Sequence, residues 1–300
     1  MEGVDRLFVV VSLLIVSRAG ASWAAQNGQE AVCDDPAVIM CENFEDRSLV
    51  DYSDMSRAKF KNSGWNLSNP AANNQGERVV GTQSFDGTKA FQFQYSPGSN
   101  GAGFLDTPVP GGSDVYIRWY AKWSSNYAWS SVSTKHFEYG LSAGNPGNIH
   151  LWSSNWGDSK LHLNTNNATF QRVVEQNIQP FFNVALDTWT CLEVRIKMNS
   201  GLGSADGVIE GWINGRKQMD HPSIEVWNAS AIINSLMMSG YWNCAQPPGD
   251  CSTSSDYKST MYRWHDNIVM SKQRVGCLPG QGGTPPSSQA PAAPRELRLP

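Results

Sequence analysis

Asp114–Tyr139 reads DVYIRWYAKWSSNYAWSSVSTKHFEY, and its first ten residues alternate. Val115, Ile117, Trp119, Ala121 and Trp123 fall on one side, and Tyr116, Arg118, Tyr120 and Lys122 on the other. A period of two is that of a strand with one face in a core. The second face carries rings and cations in turn, where small polar groups are usual. It reads either as a stacking platform for an acidic sugar polymer or as a solvated outer face.

Outward from this stretch, short strands recur with turn residues between them. Upstream, Ala37–Phe44 reads as an opening strand, Asp51–Ala72 as irregular, and Arg78–Val80 and Lys89–Tyr95 as strands around the Ser84–Thr88 turn. Ser96–Gly103 is a Gly/Pro/Ser/Asn loop. Downstream come Asn148–Ser153, Lys160–Asn164, Val173–Gln176 and Trp189–Met198. Val208–Ile213 then runs into Asn214-Gly215, a two-residue hairpin signal, and Arg216–Asp220 returns. Ile232–Tyr241 and Met261–Met270 complete the set. With no amphipathic helix among them, so many strands predict an all-β, two-sheet antiparallel jelly-roll sandwich.

Composition agrees. The 300 residues are 40% hydrophobic and only 17% charged, with 27 Gly and 12 Trp, which suits a loop-rich β protein with ample core. A net charge of −4 gives no support to a nucleic-acid partner. Met1–Ala25 (1-25) has Arg6, the apolar run Leu7–Val16 and small residues after it, the pattern of an export signal. That run is too short to span a bilayer, and no second one follows, so neither membrane insertion nor an intracellular destination is expected. The expected organisation is a signal, one jelly-roll domain (26-277) and a Pro/Gly/Ser-rich tail without apolar periodicity (278-300), secreted or periplasmic and monomeric.

Six cysteines suit an oxidising compartment and allow fifteen pairings. Proximity favours Cys33–Cys41 and Cys244–Cys251, leaving Cys191 with Cys277. Zinc is the competing use, but no C-x-x-C pair occurs and the histidines are not spaced for it.

Several segments in order resemble one family: VYIRWYAKW (115–123) with the Trp129–Lys135 approach, WTCLEVRIKMNSG (189–201), DGVIEGWINGRK (206–217), RWHDNIVMS (263–271) and the opening CENFED (41–46). The chain resembles the concanavalin A-like jelly-roll polysaccharide lyases, particularly alginate and glucuronan lyases and their non-catalytic relatives. The resemblance implies a concave sheet forming a sugar groove, built from Val115–Trp123, Ser133–Tyr139, Asn148–Ser153, Lys160–Asn164 and Ser235–Asn243, with the Trp189–Ile213 hairpin as scaffold behind it. It also implies a structural calcium held by Glu45, the Ser84 carbonyl, Asp86 and Asp266. Read from the residues alone, these are surface turn carboxylates as readily as metal ligands.

The activity implied is β-elimination on a uronate polymer, which needs a cation at the carboxylate, a base and an acid. Lys135 in VSTKHFEYG resembles the family's lysine, although Ser133-Thr134 stands where Gly-Gly is usual. Arg118 is a second cation, equally readable as a structural ion-pair partner. His150 and His162 fall in successive alternating strands with Trp152 and Asn164 on the same faces, an arrangement suited to a base or to surface histidines. Tyr139 and Tyr241 are further base or acid candidates, and Tyr120, Trp129 and Asn243 complete the expected sugar-binding set. His136 and Glu138 are weaker candidates. No alternating E-x-D-x-x-E strand occurs, which argues against a retaining hydrolase, whereas a non-catalytic carbohydrate-binding module on the same fold remains the alternative to a lyase.

Overall fold

The computed structural model describes residues 30–45, 66–68, 77–97, 101–129, 133–141, 148–153, 161–166, 184–226, 231–243 and 259–279; for 66–68, 101–104, 133, 138, 141, 148–153, 161–166 and 243 it describes the backbone alone. The expected signal, the tail beyond 279, the Val173–Gln176 strand and the Cys244–Cys251 pair lie outside the described residues.

Among the described residues, fourteen strands make two antiparallel sheets: β1 (Val38–Glu42), β2 (Asn66–Ser68), β3 (Glu77–Val80), β4 (Ala90–Tyr95), β5 (Gly101–Gly112), β6 (Asp114–Trp123), β7 (Ser133–Leu141), β8 (Asn148–Ser153), β9 (Leu161–Asn166), β10 (Thr190–Lys197), β11 (Gly207–Ile213), β12 (Arg216–Ile224), β13 (Ile233–Asn243) and β14 (Met261–Ser271). The eight-stranded sheet runs β12-β11-β10-β6-β14-β4-β3, with β1 also on β14. The six-stranded sheet runs β2-β5-β13-β7-β8-β9. This is the expected two-sheet jelly-roll sandwich. Its core is filled from both inner faces, by Val115, Ile117, Trp119 and Trp123 of β6 and by Phe137, Tyr139, Leu236, Met238 and Trp242 of the other sheet.

Two expectations need correction. First, β6 pairs with β10 and β14, so the ring-and-cation strand belongs with the presumed scaffold and not with β7, β8, β9 and β13. Second, the expected Ser96–Gly103 loop is cut short: Gly101–Gly103 open a twelve-residue strand, β5, over a stretch that the sequence reading left unassigned. Pro108 and Pro110 hid it, since proline cannot donate to a ladder. β5 pairs β13 on one side, while β2 pairs it only over Phe104–Asp106. The two prolines lie two apart beyond that pairing, so both face the same side of β5.

Other local signals translate directly. Asn214 (φ 44°) and Gly215 (φ 79°) both take positive φ, as a type I′ turn requires, and the Asn214 side chain accepts from the Cys191 N–H at 3.0 Å. Cys33–Cys41 is bridged as proximity favoured, and Cys191–Cys277 as the pair left over. The second bridge spans 86 residues and stabilises by about 3–5 kcal/mol in the chain-entropy model.

Candidate functional site

The three ladders of the six-stranded sheet beside β7 and β13 break at one level. β7 shifts register against β8 between Lys135 and Phe137, and against β13 between Met238 and Trp242; β13 shifts against β5 between Ser239 and Tyr241. In β7 the shift inserts one extra inward residue. Thr134, His136, Phe137 and Tyr139 are all buried, whereas Lys135 between them is half-buried. Two consecutive inward side chains, His136 and Phe137, mark a β-bulge, which re-aims its neighbours. Lys135 thereby leaves the core side. On β13, Met238 and Trp242 are buried and Tyr241 is half-buried.

Lys135 and Tyr241 meet there, with Nζ 5.6 Å from the ring centroid, a cation–π distance. Burial raises the Tyr241 phenol above its usual pKa, so it keeps its proton through neutral pH. The register extends the patch: Lys135 lies opposite Trp152, and Trp152 opposite His162. The next row is Met237, Glu138, His150 and Asn164, each opposite the next. Directly opposed residues occupy one face of a sheet. Asn243 pairs with Ser133 at the end of the same strands. Lys135, Tyr241, His150, His162, Trp152, Asn164 and Asn243 therefore fall on one stretch of four adjacent strands.

The remaining candidates fall elsewhere. Arg118 is wholly buried on the outer face of the eight-stranded sheet, in an ion pair with Glu30 and a 2.9 Å bond to the Asn267 carbonyl. Asn267 has φ 44° at the bulge of β14, and Arg118 caps that bulge. Tyr120 stacks on Phe85 with centroids 3.5 Å apart, and its hydroxyl accepts from the Leu278 N–H at 2.6 Å. Both are covered by the chain's own segments, so the structural reading of this face prevails over the sugar platform. Tyr139 is fully buried against Phe137, with no hydrogen-bond partner for its hydroxyl among the described residues and its pKa driven up by burial. It is a core residue, out of reach of a polymer. Trp129 packs at the core's rim on Trp123 and Tyr127.

The expected calcium ligands do share a neighbourhood. Asp266 is fully buried and accepts from the Phe85, Asp86 and Asn267 N–H groups at 2.8, 3.4 and 2.8 Å. Glu45 accepts from the N–H groups of Thr88 and Lys89 and from the Thr88 hydroxyl, each at 2.7 Å. The 84–89 turn thus bridges Glu45 to Asp266, with Asp86 holding its own Gly87 N–H at 2.9 Å. Burial, with the Glu45 charge as a lesser cause, pushes the Asp266 carboxyl up to about 8. The Asp266 carboxylate is held by backbone N–H groups, and three carboxylates with a carbonyl are the donor chemistry calcium takes. The carboxylates bond to N–H groups and do not converge: among the described residues no group of three or more His, Cys, Asp or Glu is arranged around a common point.

Sequence reasoning missed Arg263 and undervalued His136. Arg263 lies on the inner face of β14, fully buried, and crosses the sandwich to the bulge in β7. The signal was present as a cation on the core face of an alternating strand.

The fold is that of the jelly-roll polysaccharide lyases. No family model matches the chain, and no curated protein matches it. Among solved structures, a double mutant of alginate lyase Aly36B in complex with an alginate trisaccharide superposes at TM-score 0.58 and 15% identity, over 80% of this chain and 100% of that one. The endo-β-1,4-glucuronan lyase of the fungus Trichoderma reesei gives 0.50 at 14% identity over 69% and 91%. The cellulose-induced protein Cip1 gives 0.52 at 15% over 80% and 100%. At such identities the likeness is one of fold.

Proposed function

We propose that this chain is a secreted polysaccharide lyase that cleaves a uronate-containing polymer by β-elimination. The observation that carries the reading is the meeting of Lys135 with Tyr241 on the patch where the register also places His150 and His162. Lys135 neutralises the uronate carboxylate, which gains charge as the C5 proton leaves. A histidine of the paired strands, His150 or His162, takes that proton. The C5–H electrons form the C4=C5 double bond, the C4–O bond breaks, and Tyr241 protonates the departing oxygen. Trp152, Asn164 and Asn243 occupy register positions from which sugar rings and hydroxyls would be held.

Calcium belongs to the same proposal as a structural ion, and Glu45, the Ser84 carbonyl, Asp86 and Asp266 are the groups that would hold it. Bound there it would add charge compensation and cross-linking at the 84–89 turn; no chemical step uses it. The two bridges in the fold support an oxidising destination.

The test is the ultraviolet absorbance of unsaturated uronate ends during incubation with alginate, glucuronan and other polyuronates. Rising absorbance in the wild type, with an alkaline limit above the usual tyrosine range that Tyr241→Phe removes, is the expected result. A flat trace from folded protein across the panel would shift the reading to a carbohydrate-binding module. The sequestration of Arg118, Tyr120 and Tyr139 is the observation on that side, since it leaves the patch with fewer groups for acid–base work.

A further inference from the structure

Arg263 is a fully buried guanidinium whose hydrogen-bond partners among the described residues are two carbonyls and a histidine, with no carboxylate. Its Nη1 donates to the Lys135 carbonyl at 3.1 Å and meets His136 Nδ1 at 2.5 Å; its Nη2 donates to the Ser239 carbonyl. Phe93 and Tyr95 flank it, 4.8 and 5.9 Å from their ring centroids. Replacing a buried charge with a well-packed apolar side chain is often neutral or stabilising, so a bare contribution to the core is a poor account of such a residue.

Its partners supply a better one. Between the aligned pairs Phe137–Met238 and Thr134–Trp242, β7 has two residues, Lys135 and His136, and β13 has three, Ser239, Gly240 and Tyr241. Regular pairing lapses across this window, and buried carbonyls left there need donors. Arg263 reaches over from the opposite sheet and donates to one carbonyl on each strand. Because guanidinium only donates, His136 must accept through Nδ1. Burial, and after it the charge of Arg263, hold His136 well below its usual pKa, keeping it a neutral acceptor. The window's two half-exposed side chains are Lys135 and Tyr241, the pair that defines the site.

We infer that Arg263 is a positioning residue: by clamping the Lys135 and Ser239 carbonyls it fixes the bulge that aims Lys135 at Tyr241 on the outer face. The inference rests on the proposed site, and its consequence is specific. Loss of the clamp leaves two carbonyls and a histidine without their donor, and the bulge relaxes toward a regular register. Such a slip carries Lys135 toward the core and separates it from Tyr241.

The test compares Arg263→Met and Arg263→Lys with Ile196→Ala, a cavity variant at a fully buried position of β10 remote from the bulge. One readout needs no substrate. In protein reductively methylated with carbon-13, the Lys135 resonance, assigned through Lys135→Arg, should show an upfield ring-current shift that Tyr241→Leu removes. Arg263→Met should abolish that shift, Arg263→Lys should weaken it, and Ile196→Ala should leave it in place. The second readout is kinetic, at a temperature where every variant is folded. Arg263→Met should lower kcat about 100-fold with KM little changed, the scale of an approximately 1 Å misplacement, and Arg263→Lys should recover part of the loss.

An unmoved Lys135 resonance in either folded Arg263 variant overturns the inference, as does a kcat loss no greater than that of Ile196→Ala. Should Arg263→Met fail to fold, Arg263→Lys decides by the same two readouts. A wild type inactive on every polyuronate would sink the lyase reading alone, and the resonance would still decide the role of Arg263.

Discussion

The outer faces of the two sheets carry similar residues and use them differently. On the eight-stranded sheet every described cation near a ring also has an acidic or carbonyl partner. Arg118 pairs with Glu30, Arg195 with Asp114 and Glu210, Lys217 with Glu210 and Asp220, and Arg274 with Glu193. The segment Arg274–Leu278 lies across that face, held by Glu193, which accepts from the Val275 and Gly276 N–H groups, and by the Tyr120 hydroxyl. On the six-stranded sheet, Lys135 sits over the Tyr241 ring on a half-exposed surface that no described segment of the chain is seen to cross. Rings alternating with cations therefore do not identify a sugar platform. What covers the face, and which sheet holds the strand, decide its use.

The sharpest way to break this contrast is to exchange the roles of the two cations. Lys135→Ala should reduce kcat by about a thousandfold, near the upper end for removing one electrostatic stabiliser, while the melting temperature stays within a few degrees. Arg118→Ala should do the reverse. Stranding Glu30 and the Asn267 carbonyl should cost about 3 kcal/mol of stability, read by denaturant unfolding, with kcat unchanged in the folded fraction. An inactive but stable Arg118→Ala would return β6 to the groove and dissolve the distinction.

A smaller effect concerns the 84–89 turn. Calcium should raise the melting temperature of chelator-treated protein by several degrees, in proportion to its free concentration over its dissociation constant. Asp266→Asn should lose that response. A melting curve indifferent to calcium in the wild type removes the ion from the proposal and leaves Asp266 as a buried acceptor of backbone N–H groups. The smallest effect is expected at Tyr139. Because its buried hydroxyl has no partner among the described residues, Tyr139→Phe should change stability by less than about 1 kcal/mol and leave turnover alone. A large kcat loss there would mean that the inner face of β7 takes part in the chemistry after all.

Period-two patterning sufficed for most of the sandwich because each strand buries one face, and that constraint is written locally in β4, β6, β10 and β14. The Asn214-Gly215 turn was equally local. β5 was not legible, since its prolines contradict a strand and its partner β13 is distant in sequence. Within the site, Lys135 and Tyr241 were found as residue types, but their convergence depends on a bulge, and a bulge is a relation between strands. Arg118 and Tyr120 misled for a related reason: their covers, Glu30 and Leu278, are distant in sequence at opposite ends of the fold. Arg263 was overlooked because its partners are mainly backbone carbonyls, which leave no trace in composition.

The bridge from Cys191 to Cys277 has an architectural corollary. It fastens the last described segment to the outer face of the eight-stranded sheet, the back of the molecule relative to Lys135. The described chain ends on that back surface, at Pro279. A protein captured on a solid support through its C-terminal side would therefore present the Lys135 face outward.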